Sequence, residues 1–175
     1  MRAARLAPTI SRRLLTPAPA ASWDPARKSK ASIDAPTIGV TVHLPEDAVL
    51  EARAEVGATL LDALEASDLS DVWEGGACGG ACNCSTCRVI VEAMPAPLSE
   101  RADDEEDMLD SAVAAAQRQA SDCADVDAIA EEYLRERSRL ACQLVMRKED
   151  NGLAVRLPND VTNMLEVPLW LRGSR

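Results

Sequence analysis

Six cysteines are the residues of this chain best able to do chemistry, and they lie at positions 78, 82, 84, 87, 123 and 142. Clustered thiols in a reducing compartment indicate metal or redox chemistry rather than structural disulfides. Cys78, Cys84 and Cys87 have the spacing C-x5-C-x2-C, and Cys142 can supply a distant fourth thiolate. Four thiolates are the usual ligand set of a 2Fe-2S cluster.

The loop that carries these cysteines is rich in glycine, which favours an iron-sulfur cluster over zinc. Four of the eight glycines of the chain fall at positions 75–80. Because glycine permits close backbone approach, the amide N–H groups of such a loop can surround bridging sulfides and stabilise their negative charge. Structural zinc sites usually use paired C-x2-C knuckles, and the chain has only the one formed by Cys84 and Cys87. A zinc site and a cysteine loop without metal stay open as alternatives.

Six carboxylates within eight positions form a second candidate site, and they are Asp103, Asp104, Glu105, Glu106, Asp107 and Asp110. The periodicity that follows them predicts a helix, and negative charge is favoured near a helix N-terminus. Taken alone, the run is most simply a solvated helix start.

Composition excludes several classes of function for this chain of 175 residues, a length that suits one domain with appendages. The net charge is −10 at pH 7, although residues 1–33 contain seven Lys or Arg and one Asp. Since an acidic body repels phosphate, we predict no binding to nucleic acid. No apolar run approaches the ~20 residues of a membrane-spanning helix, so we predict no transmembrane segment. His43 is the only histidine, and no catalytic triad can be assembled around it.

Residues 1–35 have the composition of an organellar targeting segment. They are rich in arginine, contain serine, are poor in acidic residues and lack the apolar centre of a secretory signal. We therefore predict a mitochondrial transit peptide here, with a disordered basic extension as the alternative.

The first half of the remaining chain predicts strands and one helix. Alternating apolar residues over 38–56 predict a β-hairpin. Thr59 and Asp62 have capping-box spacing, and Leu60, Leu61 and Leu64 then form an apolar stripe that can pack on the hairpin. The glycine and cysteine residues of 75–87 predict a loop, followed by a strand over 88–92.

The second half predicts helices and then a strand pair. A helix is expected from Ser99 through Val113, and a second helical stretch over 126–140 follows a break at 121–125. We assign about 113–135 to a helical insertion in a domain of residues 36–158. Strands over 142–146 and 153–157, joined through Asp150, Asn151 and Gly152, are expected to pair. Residues 159–175 have no clear period and are expected to lie as an arm on the surface.

Three separated motifs resemble those of the adrenodoxin-like mitochondrial 2Fe-2S ferredoxins, and they occur in the same order. They are CGGACNCSTC at 78–87, DEEDMLD at 104–110 and SRLACQ at 138–143. The resemblance runs over about residues 37–163. It implies an α+β fold of the β-grasp ferredoxin type, in which Cys78 and Cys84 bind one iron while Cys87 and Cys142 bind the other.

The resemblance also implies roles for other residues. Cys82 lies where several members carry an extra cysteine that is not a ligand, and Cys123 falls outside every matching motif. Arg88 stands where the family commonly has histidine, so any hydrogen bond of that ring must be replaced or lost. In the family, the acidic run docks on basic surfaces of a reductase and of electron acceptors, so we expect the six carboxylates of 103–110 to form a docking surface.

The function implied is that of a one-electron carrier in the mitochondrial matrix, not an enzyme. A ferredoxin reductase fed by NADPH would reduce the cluster, which would pass electrons to the iron-sulfur cluster assembly machinery or to a cytochrome P450. The stretch 157–162 favours the assembly branch. The alternative is a ferredoxin-like structural subunit of a larger mitochondrial respiratory complex, in which the added helices and tails would bind neighbouring subunits.

Overall fold

The computed structural model describes residues 35–67, 69, 72–119, 137–159 and 161–168. The strands in these ranges are β1 (Thr37–His43), β2 (Val49–Glu55), β3 (Arg88–Ala93), β4 (Ser138–Leu140) and β5 (Leu153–Arg156). The α-helices are α1 (Leu60–Glu65) and α2 (Asp103–Gln119). Short 3₁₀ turns are formed by Pro45–Asp47, Ala141–Gln143 and Lys148–Asp150.

One mixed sheet has the strand order β2-β1-β5-β3-β4. β1 pairs with β2 in antiparallel register and with β5 in parallel register. β3 pairs in antiparallel register with both β5 and β4. The two helices and the sheet share an aliphatic core that includes Val40, Leu64, Leu109, Leu140 and Leu153. The α+β class predicted from the sequence is confirmed.

The hairpin and the first helix agree with their predictions. β1 and β2 pair along their whole length, from Thr37 opposite Glu55 to His43 opposite Val49. At the start of α1, the Asp62 amide donates to Thr59 Oγ1 at 3.2 Å, and the Thr59 amide donates to Asp62 Oδ2 at 2.9 Å. This reciprocal capping box satisfies two amides that a helix start leaves unpaired.

The predicted strand over 142–146 is wrong. Ala141–Gln143 forms a 3₁₀ turn, and the residues after it pair with the turn before α1. The Leu60 amide donates to the Leu144 carbonyl, and the Met146 amide donates to the Ala58 carbonyl, both at 2.8 Å. The apolar alternation is real, since Leu144 and Met146 are buried, but their partner is this distant turn. β5 pairs with β1 and β3 instead.

Arginine side chains contact the end of β3 and the segment that follows it. Arg137 Nη1 donates to the Glu92 carbonyl of β3 at 2.9 Å. In the segment between β3 and α2, Arg147 Nη2 donates to the Pro97 carbonyl and Arg139 Nη1 donates to the Ser99 carbonyl, both at 2.8 Å. The Ser99 carbonyl thus accepts a side-chain hydrogen bond, and α2 begins at Asp103 and not at Ser99 as predicted.

Several predictions fall on residues outside the described ranges. They concern the extension at 1–34, most of the helical insertion, Cys123 and the last seven residues. The second helical stretch was predicted to reach 140, which is wrong at its end because Ser138–Leu140 is β4. No helix in the described ranges is long and apolar enough to cross a membrane.

Candidate metal centre

The cysteine loop between α1 and β3 has a backbone that few residue types adopt. Its φ angles are positive at Gly79 (63°), Gly80 (88°), Cys82 (54°) and Ser85 (58°), so the loop turns repeatedly through the left-handed region. At Gly76 an added Cβ would lie 2.7 Å from Leu61 Cδ2. The loop therefore rests directly on α1, and a larger residue at position 76 would require the Leu61 side chain to shift.

The sheet brings the distant cysteine to the loop. In the antiparallel pair of β3 and β4, Arg88 lies opposite Leu140, and one step further the Ala141 amide donates to the Cys87 carbonyl at 2.9 Å. The 3₁₀ turn then directs Cys142 toward the loop, where its thiol lies close enough to those of Cys82 and Cys87 to interact with both. The thiols of Cys78 and Cys84 interact with each other in the same way. The fold thus brings all four sequence-predicted cysteines together.

The interacting thiols hold their protons unequally. A hydrogen bond from Cys84 lowers the pKa of Cys78 to about 5, and hydrogen bonds from Cys82 and Cys87 lower the pKa of Cys142 to about 3. The same bonds, together with burial, raise the pKa of Cys84 and of Cys87. Cys84 and Cys87 therefore keep protons that a bound metal must displace, since thiolates are the ligands.

Hydrogen-bond donors surround the sulfur atoms. The backbone amides of Gly80 and Asn83 donate toward Cys78. Cys84 Sγ lies 3.1 Å from Thr86 Oγ1, which accepts a hydrogen bond from the Ala77 amide at 3.0 Å. Either atom can be the donor in the cluster-free chain, but a Cys84 thiolate can only accept, so the hydroxyl proton is directed to the sulfur once Cys84 is a ligand. Such donors stabilise a negatively charged cluster. Sequence reasoning missed Thr86, although its place between two predicted ligands is a usable signal.

The chemistry of the donor set fits a 2Fe-2S cluster. Such a cluster needs four thiolates spread over its two irons, and the fold brings Cys78, Cys84, Cys87 and Cys142 together. In the described ranges, no group of three or more His, Cys, Asp or Glu side chains is arranged around a single metal ion.

Cys82, which the sequence analysis did not assign as a ligand, lies beside Cys142. Its thiol is hydrogen-bonded to Cys142, which together with burial raises its pKa. Its Sγ also donates to the Asp104 carbonyl at 3.5 Å. The loop therefore touches the first turn of α2 through this side chain.

The acidic run divides into five exposed carboxylates and one buried carboxylate. Asp103, Asp104, Glu106, Asp107 and Asp110 are exposed. Glu105 is 0% exposed and forms a bidentate ion pair with Arg139, with both N···O distances 2.9 Å. Its Oε1 also accepts from the Leu140 amide at 2.7 Å. The prediction of Glu105 as a docking residue is thus wrong, because its carboxylate ties α2 to β4 instead.

Neither His43 nor Arg88 is placed to act as a metal ligand. His43 is on β1, where its Nδ1 is 2.5 Å from Glu92 Oε2. Arg88, at the histidine position of the family, is 1% exposed at the start of β3. Its side chain is therefore part of the protein interior beside Cys87.

Comparisons with known proteins agree with this centre. A sequence model of the 2Fe-2S iron-sulfur cluster binding domain matches residues 45–120. The mitochondrial adrenodoxin homolog of Saccharomyces cerevisiae is 38% identical over 62% of this chain and 51% of its own length. The adrenodoxin of Ovis aries is 33% identical over 67% of this chain and 77% of its own length. The chain thus spans about half of the yeast relative.

Solved structures confirm the β-grasp ferredoxin fold. One is a covalent complex of putidaredoxin reductase with putidaredoxin, in which the matched chain is 26% identical with a TM-score of 0.52. The match covers 70% of this chain and 99% of that one. From the cysteine loop, the fold and these relatives, the chain belongs to the adrenodoxin-like 2Fe-2S ferredoxins, proteins that bind a 2Fe-2S cluster and carry electrons rather than act as enzymes.

Proposed function

We propose that this protein is a one-electron carrier whose 2Fe-2S cluster is bound by Cys78, Cys84, Cys87 and Cys142. The observation that carries the proposal is that the fold brings Cys142 to the cysteine loop, where the Ala141 amide donates to the Cys87 carbonyl at 2.9 Å. As in the family that the chain belongs to, Cys78 and Cys84 would bind one iron, and Cys87 and Cys142 would bind the other. When bound, the cluster supplies a redox centre that accepts one electron and returns it without a chemical change in the protein.

The residues around the sulfur atoms influence how readily the cluster accepts an electron. The Thr86 hydroxyl and the loop amides hold negative charge at the sulfur atoms. Cys84 and Cys87 are buried, whereas Cys78 and Cys82 are half-buried. The edge of the loop at Cys78 and Cys82 is therefore the part of the centre that is nearer to solvent, and we propose it as the side from which a docked partner exchanges an electron.

The partner surface that we propose is the exposed acidic face of α2, formed by Asp103, Asp104, Glu106, Asp107 and Asp110. It adjoins the loop through the contact of Cys82 with Asp104. A basic partner would be steered to this face and would leave quickly, because exposed charges raise association rates more than affinity. A ferredoxin reductase supplied by NADPH is the partner we propose as donor, which the reductase complex of putidaredoxin supports.

For the acceptor we propose the iron-sulfur assembly machinery or a cytochrome P450, and for the location the mitochondrial matrix. The mitochondrial names of the yeast and bovine relatives support this location. We further propose residues 1–35 as the transit peptide and residues 36–158 as the ferredoxin domain. The alternative role, that of a structural subunit of a respiratory complex, depends on added helices and tails that lie mostly outside the described residues.

The proposal is tested by mixing the purified protein with NADPH and a mitochondrial ferredoxin reductase under anaerobic conditions. We expect catalytic bleaching of the visible absorption, and reoxidation on addition of either the assembly scaffold with its cysteine desulfurase or a P450. A protein that the reductase cannot reduce would refute the carrier function. A matched pair of variants tests the ligands: Cys82→Ser should keep the oxidised spectrum, whereas Cys142→Ser should lose or change it.

A further inference from the structure

Residues 161–168 lie against the cysteine loop, and we name this segment the strap. The Met164 amide donates to the Cys84 carbonyl at 2.9 Å. The Ser85 hydroxyl donates to the Thr162 carbonyl. Met164 and Val167 are 3% and 5% exposed, and both belong to the main core. Backbone bonds and buried side chains therefore fasten the strap to the loop.

The strap has internal hydrogen bonds that shape it for this contact. Asn163 Oδ1 accepts from the Leu165 amide at 3.1 Å, and the Asn163 carbonyl accepts from the Glu166 amide at 3.0 Å. Asn163 Nδ2 also donates to Glu166 Oε1 at 2.9 Å. A turn closed on itself in this way loses less conformational entropy when it docks.

The strap and α2 contact different residues of the loop. At the strap contact Cys84 is 0% exposed and Ser85 is 2% exposed, while Cys82 touches α2 through Asp104. The loop is therefore supported both by a long helix and by a short segment with two hydrogen bonds to it. The strap is the smaller of these supports, and its release would open the Cys84 side to water.

We propose that the strap controls both the lifetime and the reduction potential of the cluster by keeping water from the Cys84 side. Cluster loss requires solvent or a chelator to reach an iron, so release of the strap would precede loss. The reduced cluster carries one more negative charge than the oxidised form, and water stabilises that charge. A loosened strap would therefore raise the potential. The inference rests on Cys84 as a ligand, as proposed above.

The experiment compares three variants of the full-length protein loaded with its cluster. Met164→Ala with Val167→Ala removes both buried side chains. Ser85→Gly removes the hydroxyl while suiting the positive φ of 58° at that position. Leu165→Ala is the control, because this neighbouring side chain is 47% exposed. Cluster loss to an iron chelator is followed by visible absorption, and the potential by spectroelectrochemical titration.

We expect the first two variants to lose the cluster about tenfold faster than the unmodified protein, equivalent to ~1.4 kcal/mol in the barrier, and to have higher potentials. Leu165→Ala should match the unmodified protein in both. Equal rates of cluster loss and equal reduction potentials in all variants would overturn the proposal that the strap controls the cluster, while leaving the carrier function intact. An unmodified protein without visible absorption would instead refute the cluster itself.

Hydrogen exchange on the unmodified protein tests the same inference without any substitution. The Met164 amide should exchange slowly while the cluster is present, because it donates to the Cys84 carbonyl. Its opening should become more frequent under conditions that accelerate cluster loss. Exchange of this amide at the rate of an unprotected one would overturn the proposal, even if the variants failed to fold.

Discussion

Thr86 is the side chain with the most direct control over a proposed ligand, since its hydroxyl proton is directed to Cys84 Sγ. Thr86→Val keeps the shape but removes this donor. We expect the reduction potential to fall by tens of millivolts, on the order of what one charge-assisted hydrogen bond provides. Spectroelectrochemical titration measures the change, and Thr86→Ser should restore the original value. An unchanged potential in Thr86→Val would show that the hydroxyl does not act on the cluster.

Glu105 differs from its neighbours because its carboxylate is buried against Arg139. Glu105→Ala would leave a buried guanidinium without its main partner, and we expect a loss of about 3–5 kcal/mol in the free energy of unfolding. Glu106→Ala, one position along and exposed, should change it by less than about 0.5 kcal/mol. Chemical denaturation of both variants gives the comparison. Similar losses in the two would contradict the structural role of Glu105.

At the scale of the element, α2 combines a structural face with an acidic face. We expect Asp107→Asn with Asp110→Asn to weaken coupling to the reductase at low salt and to leave the visible spectrum unchanged, since exposed charges act mainly through screened steering. Steady-state reduction rates at several ionic strengths measure this effect. The control is Glu46→Gln with Asp47→Asn, which removes the same charge from the exposed turn between β1 and β2. Equal effects of the two pairs would exclude a specific docking role for α2.

Elements with local signals were predictable from the sequence, whereas elements that depend on distant partners were not. The two residues of the capping box, Thr59 and Asp62, are close together in the sequence, and so are the alternating apolar residues of β1 and β2. β5 pairs with β1, more than a hundred residues earlier in the chain, and with β3, about sixty residues earlier. No local pattern encodes such pairings. Glu105 is an intermediate case: with Leu109 and Ala112 it shares the buried face of α2, so helical periodicity could have separated it from the exposed acids.

At the candidate site, the ligand cysteines were predictable because their spacing reflects one short loop. The residues that support them were not, because each contact joins distant parts of the chain. Ser85 reaches Thr162, 77 positions away, and Arg139 reaches Glu105, 34 positions away. Their polar side chains look ordinary until the fold buries them.

At the scale of the whole molecule, cluster binding and folding stability are linked through the thiols. In the cluster-free chain, the pKa of Cys87 lies well above 9.0, because the bond to Cys142 and burial favour its protonated form. The unfolded chain loses this proton near pH 9.0, so the free energy of unfolding falls above that pH, by up to ~1.4 kcal/mol per pH unit for Cys87 and by as much again for each other thiol whose pKa is raised, such as Cys84. The loaded protein should lack this loss, since its thiols are already deprotonated.

Urea unfolding of the cluster-free and loaded forms at pH 7.5 and pH 10, under reducing and anaerobic conditions, measures this linkage. We expect the difference in stability between the two forms to be larger at about pH 10 than at about pH 7.5. A difference that is the same at both values would mean that Cys87 does not keep its proton in the folded cluster-free chain.

The most direct test of the four-cysteine centre is quantitative electron paramagnetic resonance of the purified protein before and after reduction with dithionite. We expect no signal in the oxidised protein, and after reduction an axial or rhombic signal that integrates to about one unpaired electron per cluster. A protein that stays silent after reduction while containing one zinc per chain would contradict the centre described above.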